Sequence, residues 1–179
     1  MNGIGNIIFV GGIHGVGKTT ICNDLSNKLS IEHYSSSSLI SMLDSKRIKQ
    51  DKIVEDIHDN QKMLLEAIDY FLDEDKAYLL DGHFCLIDKN NSIQKVPVEV
   101  FESLAIRGII IISEQEYKIL KRLKVRDNED YSLDYIKEFQ EKEIYHAKQI
   151  ARQIKVPIKI INISKDKSAI ISSVKELLQ

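Results

Sequence analysis

Residues 12–19, Gly-Ile-His-Gly-Val-Gly-Lys-Thr, have the types and spacing that bind nucleotide phosphates, and they match G-x-x-x-x-G-K-[ST] at every position. Glycines allow successive backbone N–H groups to line a concave anion site, and a following helix adds the positive end of its dipole. The lysine of such a loop reaches the β- and γ-phosphates, and the threonine hydroxyl is a ligand for Mg²⁺. We therefore predict that ATP and Mg²⁺ bind here, through Gly12, His14, Gly15, Val16, Gly17, Lys18, Thr19 and Thr20.

The segments on either side of this loop support the interpretation. Residues 7–10, Ile-Ile-Phe-Val, predict a buried strand, because they form a short run of β-branched and aromatic residues. Residues 19–29 predict a helix with an apolar face formed by Ile21, Cys22, Leu25 and Leu29. The alternative is a glycine-rich turn that matches the pattern by chance, and the strand and helix favour the phosphate site.

Asp81 is the second candidate, because it ends the predicted buried strand 77–80. A carboxylate at the end of a strand beside the phosphate-binding loop can hold Mg²⁺ directly or through water. The alternative is a turn aspartate, since Asp-Gly is a common turn pair. We predict that Thr19 and Asp81 hold the metal. His83 either contacts the substrate or has a structural role.

A basic helix face is the third candidate. Lys118, Arg122 and Arg126 are spaced by four residues, so they share one side of a predicted helix whose start carries the capping-box pattern of Ser113 and Glu116. This face is either a solvated surface or a cationic clamp on a transferring phosphate, and planar guanidinium groups suit the clamp. We predict a lid over residues 122–134 and assign catalytic roles to Lys18, Asp81, Arg122 and Arg126.

Residues 35–74 are the predicted acceptor-binding segment. The serines at 35–38 predict a helix cap, and at the end of a parallel strand they face a ligand crevice. Arg47 lies in the polar stretch 44–60 and either meets a second phosphate or lies on a solvated surface. The candidate substrate-binding residues are Ser38, Arg47 and His83. Residues 84–96 predict a hairpin that binds either substrate or a partner.

Composition restricts the class of protein. The chain of 179 residues is 43% hydrophobic and 29% charged, which is typical of one globular domain spanning residues 1–179. The net charge of −2 argues against general binding to nucleic acid or to anionic membranes. Cys22 and Cys85 lie in apolar segments and predict no disulfide framework. No signal or membrane-spanning stretch is evident, so we expect a cytoplasmic protein.

The order of elements predicts the fold class and a resemblance. Strands alternate with helices, which predicts a parallel sheet with helices on both faces. Residues 12–20 resemble the GVPGVGKTT loop of archaeal-type adenylate kinases, within the nucleoside monophosphate kinase group of P-loop proteins. The motif at Asp81, the proline-initiated helix at Pro97 and the arginine-bearing helix ending at Arg126 follow in the same order, over nearly the whole chain.

The resemblance implies a three-layer α/β/α P-loop fold with a five-stranded parallel sheet in the order 2-3-1-4-5. It also implies transfer of the ATP γ-phosphate to an acceptor phosphate, with Lys18 stabilising the moving charge and Arg122 and Arg126 closing over the phosphates. The chain departs from the family at His14, where proline is usual, and near Glu143, where arginine is expected. Lys52 aligns loosely with a family arginine, and residues 127–130 are acidic without arginine.

These departures leave three hypotheses open. The first and preferred hypothesis is a Mg²⁺- and ATP-dependent kinase for a small acceptor, namely a nucleotide or nucleoside. The second keeps the kinase but replaces the acceptor with a non-nucleotide metabolite. The third is a nucleotide-binding switch or slow ATPase that acts on a partner protein. Nucleic acid and membranes are not expected partners.

Overall fold

The structure, a computed structural model, describes residues 6–48, 57–88, 90–104, 106–127 and 131–179. Its strands are β1 (Ile7–Gly11), β2 (Glu32–Ser35), β3 (Tyr78–Asp81), β4 (Cys85–Ile87), β5 (Ile93–Lys95), β6 (Ile106–Ser113) and β7 (Ile158–Asn162). Its helices are α1 (Lys18–Leu29), α2 (Ser36–Ile48), α3 (Ile57–Phe71), α4 (Val98–Ser103), α5 (Glu116–Asp127), α6 (Leu133–Gln153) and α7 (Ala169–Leu178). Lys52, which aligns loosely with a family arginine, lies outside the described residues, and so do residues 128–130 of the predicted lid.

The main sheet is parallel and has five strands in the order β2-β3-β1-β6-β7. The antiparallel strands β4 and β5 form the separate hairpin predicted for residues 84–96. Because these two strands precede β6 along the chain, the sheet order in full strand numbering is 2-3-1-6-7, not the predicted 2-3-1-4-5. The predicted order counted only strands of the main sheet.

Two apolar clusters lie on opposite faces of this sheet, as the alternation of side chains along β1 requires. Ile7 and Phe9 belong to one cluster with apolar residues of α2, α3 and α4. Ile8 and Val10 belong to the other cluster with apolar residues of α1, α5 and α7. Helices therefore cover both faces, which confirms the predicted three-layer architecture. Among the described residues, no helix combines the length and the apolar character needed to cross a membrane.

Strand register brings the candidate residues to one edge of the sheet. Val10 at the end of β1 pairs with Asp81 at the end of β3, and Asp81 pairs with Ser35 at the end of β2. Ligands of parallel α/β sheets bind outside the carboxyl ends of the strands. The phosphate-binding loop, Asp81 and the serines before α2 therefore meet where a ligand is expected.

Candidate active site

The loop between β1 and α1 needs glycine for two separate reasons. Gly17 has φ +103°, and Gly15 has φ +78°, conformations that other residues rarely adopt. A Cβ atom on Gly15 would also lie only 2.8 Å from Leu123 Cγ of α5. The glycine at position 15 therefore allows the loop to pack closely under α5, so the basic helix lies directly over the loop.

Lys18, the first residue of α1, folds back over the loop. Its Nζ donates hydrogen bonds to the carbonyl oxygens of Gly12 at 2.7 Å and Ile13 at 3.2 Å. The side chain is buried, and this desolvation lowers the pKa of Lys18 to about 8, against the opposing pull of Glu143 and Asp81. A poorly solvated cation held at the loop is well prepared to bind an incoming anion.

Thr19 and Asp81 provide neighbouring oxygen ligands. Thr19 Oγ1 lies 3.4 Å from Asp81 Oδ2, and Asp81 is buried. A hydroxyl and a carboxylate in this arrangement fit Mg²⁺, a hard cation that takes few protein ligands and oxygen donors. Sequence reasoning missed that His33 Nε2 also lies 2.7 Å from Asp81 Oδ2. His33 is on β2, and only the parallel pairing of β2 with β3 reveals this contact.

Arg122 of α5 is anchored at the loop. Its Nη1 donates to the carbonyl oxygens of Gly15 and Val16, each at 3.1 Å, and its Nη2 donates to Glu114 Oε2 at 3.1 Å. Glu114 is itself buried, its backbone N–H donates to Gln140 Oε1, and its carbonyl oxygen accepts a hydrogen bond from Gln140 Nε2. This network fixes the guanidinium beside the phosphate-binding loop.

These residues surround a cavity of about 650 Å³, called here the first cavity. It is strongly basic, and its positively charged lining residues are Lys18, Lys121, Arg122 and Arg126. Thr19, Thr20 and Asp81 line it as well. The structure thus brings Lys18, Asp81, Arg122 and Arg126 to one space, and the dense positive charge suits a polyphosphate.

A second cavity, of about 310 Å³, adjoins the first. It is lined mainly by apolar side chains, including Leu86 of the hairpin and Phe101 of α4, with Asn60 and Gln61 as polar groups from α3. Its described lining contains no lysine or arginine. The two cavities share the lining residues His14, Ser37, Asp81 and His83.

Two histidines form the boundary between the cavities. The rings of His14 and His83 have centroids 4.0 Å apart, and His83 Nδ1 lies 3.5 Å from Lys18 Nζ. Burial, and then the positive charge of Lys18, lower the pKa of His83 well below its usual value. His83 is therefore neutral at physiological pH and stands where a phosphate group in the first cavity would meet a molecule in the second.

The other predicted substrate-binding residues lie differently. Ser38 lines neither cavity, because its Oγ accepts the backbone N–H of Ser35 and donates to the Ser35 carbonyl oxygen at the start of α2. Ser36 and Ser37 line the second cavity instead. Arg47 lies in α2, and its side chain is outside the described residues.

Glu143 of α6 is a buried carboxylate that sequence reasoning did not assign to the site. Its Oε1 accepts the backbone N–H groups of Gly12 and Phe84, each at 3.0 Å, and its Oε2 accepts that of Cys85 at 2.6 Å. It therefore ties the phosphate-binding loop to the segment after Asp81. Burial raises the pKa of Glu143. The available signal was an acidic residue within the apolar face of α6, between Phe139 and Ala147.

Comparisons with known proteins agree with the fold and the loop. The family model described as "AAA domain" matches residues 11–140. A search of the curated proteins gave no match. The structure is similar to that of a gluconokinase from Sinorhizobium meliloti 1021, with a TM-score of 0.54 and 12% identity, over 98% of this chain and 93% of that one. It is also similar to an uncharacterized protein from Eubacterium ventriosum ATCC 27560, with a TM-score of 0.51 and 12% identity, over 96% and 99%.

The loop, the sheet and the covering helices define a P-loop protein with a kinase-like fold. Because the family match covers most of the sequence, the chain belongs to the AAA domain family. The structural likenesses, at 12% identity, concern the fold alone. The assignment to P-loop proteins made from residues 12–19 agrees with these findings. They do not confirm the more specific resemblance to archaeal-type adenylate kinases, which stays a prediction.

Proposed function

We propose that the chain is a Mg²⁺- and ATP-dependent phosphotransferase that moves the ATP γ-phosphate to a small acceptor, as adenylate-kinase-like enzymes do. The observation that carries the proposal is the junction of a basic cavity with a weakly charged one at His14 and His83. The first cavity holds the polyphosphate and the second holds the acceptor. A shared wall is the geometry that direct transfer between two bound molecules requires.

Each residue of the first cavity has a role in this proposal. Lys18 donates to the β- and γ-phosphates, and Arg122 stabilises the charge that develops on the transferred group. Arg126, which lines the same cavity, adds a second guanidinium. Thr19 and Asp81 would hold Mg²⁺, which neutralises phosphate charge when bound. Transfer is in this view a matter of positioning and charge rather than covalent catalysis.

The lining of the second cavity favours an acceptor whose reacting group is uncharged. An acceptor phosphate requires cationic partners, and the described lining supplies amides and hydroxyls instead, from Asn60, Gln61, Ser36 and Ser37. The apolar wall that includes Phe101 suits a flat or aliphatic body. We infer that the acceptor is a hydroxyl compound, either a nucleoside or an uncharged non-nucleotide metabolite, and the likeness to a gluconokinase adds sugar acids as candidates to be tested.

An acceptor panel tests the proposal. The protein is incubated with γ-labelled ATP, Mg²⁺ and, in separate reactions, nucleosides, nucleoside monophosphates and sugar acids, and the label is traced in each product. Label on a hydroxyl acceptor supports the proposal and identifies the substrate. Label that appears only as free phosphate, at the same rate with every acceptor, contradicts it and favours a slow ATPase or switch that acts on a partner protein.

A further inference from the structure

Three potential metal ligands meet near Thr19, and one of them, Asp81, lines the first cavity. They are Cys22 of α1, His33 of β2 and Asp81 of β3, and their ligand atoms all lie within 4.8 Å of one another. The His33 and Asp81 side chains are each 6% exposed, and Cys22 is fully buried. Sulfur, nitrogen and carboxylate oxygen together form a donor set of borderline softness, which Zn²⁺ prefers and Mg²⁺ does not.

The hydrogen-bond partners of His33 hold its ring in the orientation that a metal ligand needs. Asn23 Oδ1 lies 3.0 Å from His33 Nδ1, and Asp81 Oδ2 lies 2.7 Å from His33 Nε2. If the ring donates its Nδ1–H to the amide oxygen, its Nε2 is directed at the Asp81 carboxylate and can serve as a metal ligand. A metal ion bound there would replace the direct hydrogen-bond contact between the two side chains. A carbonyl oxygen on the far nitrogen is also the usual partner that orients a metal-binding histidine.

Three different elements supply the ligands, so the cluster is part of the folded core rather than of a surface loop. Cys22 belongs to the buried face of α1, directly one turn after Lys18 and Thr19. His33 and Asp81 lie on neighbouring parallel strands, β2 and β3. A bound ion would cross-link α1 to both strands. It would therefore stabilise the fold. It would also bind Asp81, the carboxylate proposed as a ligand of the nucleotide-bound Mg²⁺.

We propose that Cys22, His33 and Asp81 form a Zn²⁺-binding site in which Asn23 orients His33. On binding, the S–H bond of Cys22 breaks as the sulfur–zinc bond forms, and the proton is released to solvent. The site is distinct from the Mg²⁺ position proposed for Thr19 and Asp81, but the two share Asp81. Zn²⁺ therefore competes with the nucleotide-bound cation for this carboxylate.

Cobalt is the probe that reports sulfur ligation directly. The metal-stripped full-length protein is titrated with Co²⁺ in the absence of nucleotide, and absorption is recorded. We expect one Co²⁺ per chain, a near-ultraviolet thiolate-to-metal charge-transfer band, and displacement by one equivalent of Zn²⁺. The Cys22→Ser variant should lose the charge-transfer band. The matched control is Cys85→Ser, since Cys85 is also fully buried but lies outside the cluster, and this variant should keep the band.

Two further variants test the nitrogen ligand. His33→Gln should weaken Zn²⁺ binding by more than Asn23→Ala does, and Asn23→Ala should weaken it about 10- to 100-fold while keeping the sulfur band. Zn²⁺ should raise the melting temperature of the wild-type protein in a chelator-reversible manner, and Cys22→Ser should abolish this shift. Absence of the band in the wild type, its survival in Cys22→Ser, or its loss in Cys85→Ser would overturn the proposal. Because nucleotide is absent, none of these results bears on phosphotransfer.

Discussion

The two adjoining cavities differ mainly in charge. Four basic side chains line the first, whereas the described lining of the second contains no lysine or arginine. The second is also about half the volume of the first, at about 310 Å³ against about 650 Å³. In the proposed function, this contrast separates a polyphosphate in the first cavity from a weakly charged acceptor in the second. Changes in the first cavity should therefore affect all nucleotide chemistry, and changes in the second should affect only transfer to the acceptor.

The largest expected effect comes from Lys18→Ala. We predict that this change lowers the transfer rate about 1,000-fold, because it removes a cation that stabilises the developing charge in a poorly solvated site. The measurement is steady-state transfer of labelled phosphate. Lys28→Ala, at the exposed end of the same helix, is the control and should behave like the wild type. An equal loss of transfer rate in both variants would show that substitutions in α1 act by disrupting the helix and not by removing the cation at Lys18.

Arg122→Ala should have the next largest effect. We predict a loss of about 100-fold in the transfer rate, because the guanidinium holds the loop carbonyls and, in the proposed function, stabilises the charge on the transferred group. Arg152→Ala, an exposed arginine of α6, serves as the control. If Arg122→Ala changes nucleotide affinity alone and leaves the transfer step intact, the clamp role assigned to this arginine is wrong.

Glu143→Gln tests the connection between the loop and the segment that borders both cavities. The amide leaves at least one buried backbone N–H without an acceptor, so we expect a loss of about 2 kcal/mol in the free energy of unfolding. The exposed Glu138 of the same helix provides the control variant Glu138→Gln. Chemical denaturation of both variants is the measurement, and equal stability of the two would contradict the role of Glu143.

The pH dependence of this loss has a defined sign. Burial raises the pKa of Glu143 in the folded chain above the usual 4.5, so the folded state keeps a proton that the unfolded state has lost. The stability that this proton provides is present below pH 4.5 and disappears as the pH rises through the folded-state pKa. The difference in the free energy of unfolding between the wild type and Glu143→Gln should therefore become smaller as the pH rises from 4.5. A difference that grows with pH would contradict the raised pKa of Glu143.

The smallest expected effect concerns the second cavity. We predict that Gln61→Ala raises the KM for the acceptor about 5-fold, as the loss of one hydrogen bond implies, and leaves nucleotide affinity unchanged. The control is Gln153→Ala at the far end of α6. A similar change in nucleotide affinity would contradict the assignment of nucleotide to the first cavity and of the acceptor to the second.

Local patterns made the phosphate-binding half of this molecule predictable. The loop at 12–19, its strand and its helix are contiguous, so spacing and residue type suffice to recognise them. Asp81 could be predicted for a similar reason, since a strand end followed by Asp-Gly is a local signal. Long-range contacts could not be predicted in this way, because they join distant positions: Glu143 accepts a hydrogen bond from Gly12, 131 residues away in the chain.

The start of α5 shows how tertiary contacts replace a local motif. Ser113 and Glu116 have the spacing of a capping box, yet Ser113 is the last residue of β6 and α5 begins at Glu116. The free backbone N–H of Glu114 is instead satisfied by the Gln140 side chain of α6, and Glu114 Oε1 accepts the N–H of Gln115. Similarly, His33 acquires its contact with Asp81 only when β2 pairs with β3.

The most direct test compares the fate of the γ-phosphate in two variants, once an acceptor is known. The ratio of label on the acceptor to label in free phosphate is measured for the wild type, Lys18→Ala and the double variant Asn60→Ala/Gln61→Ala. We predict that Lys18→Ala loses both products and that the double variant loses acceptor labelling while free phosphate persists. If the double variant leaves the ratio unchanged, the second cavity is not the acceptor site, and the account of transfer between two cavities is wrong.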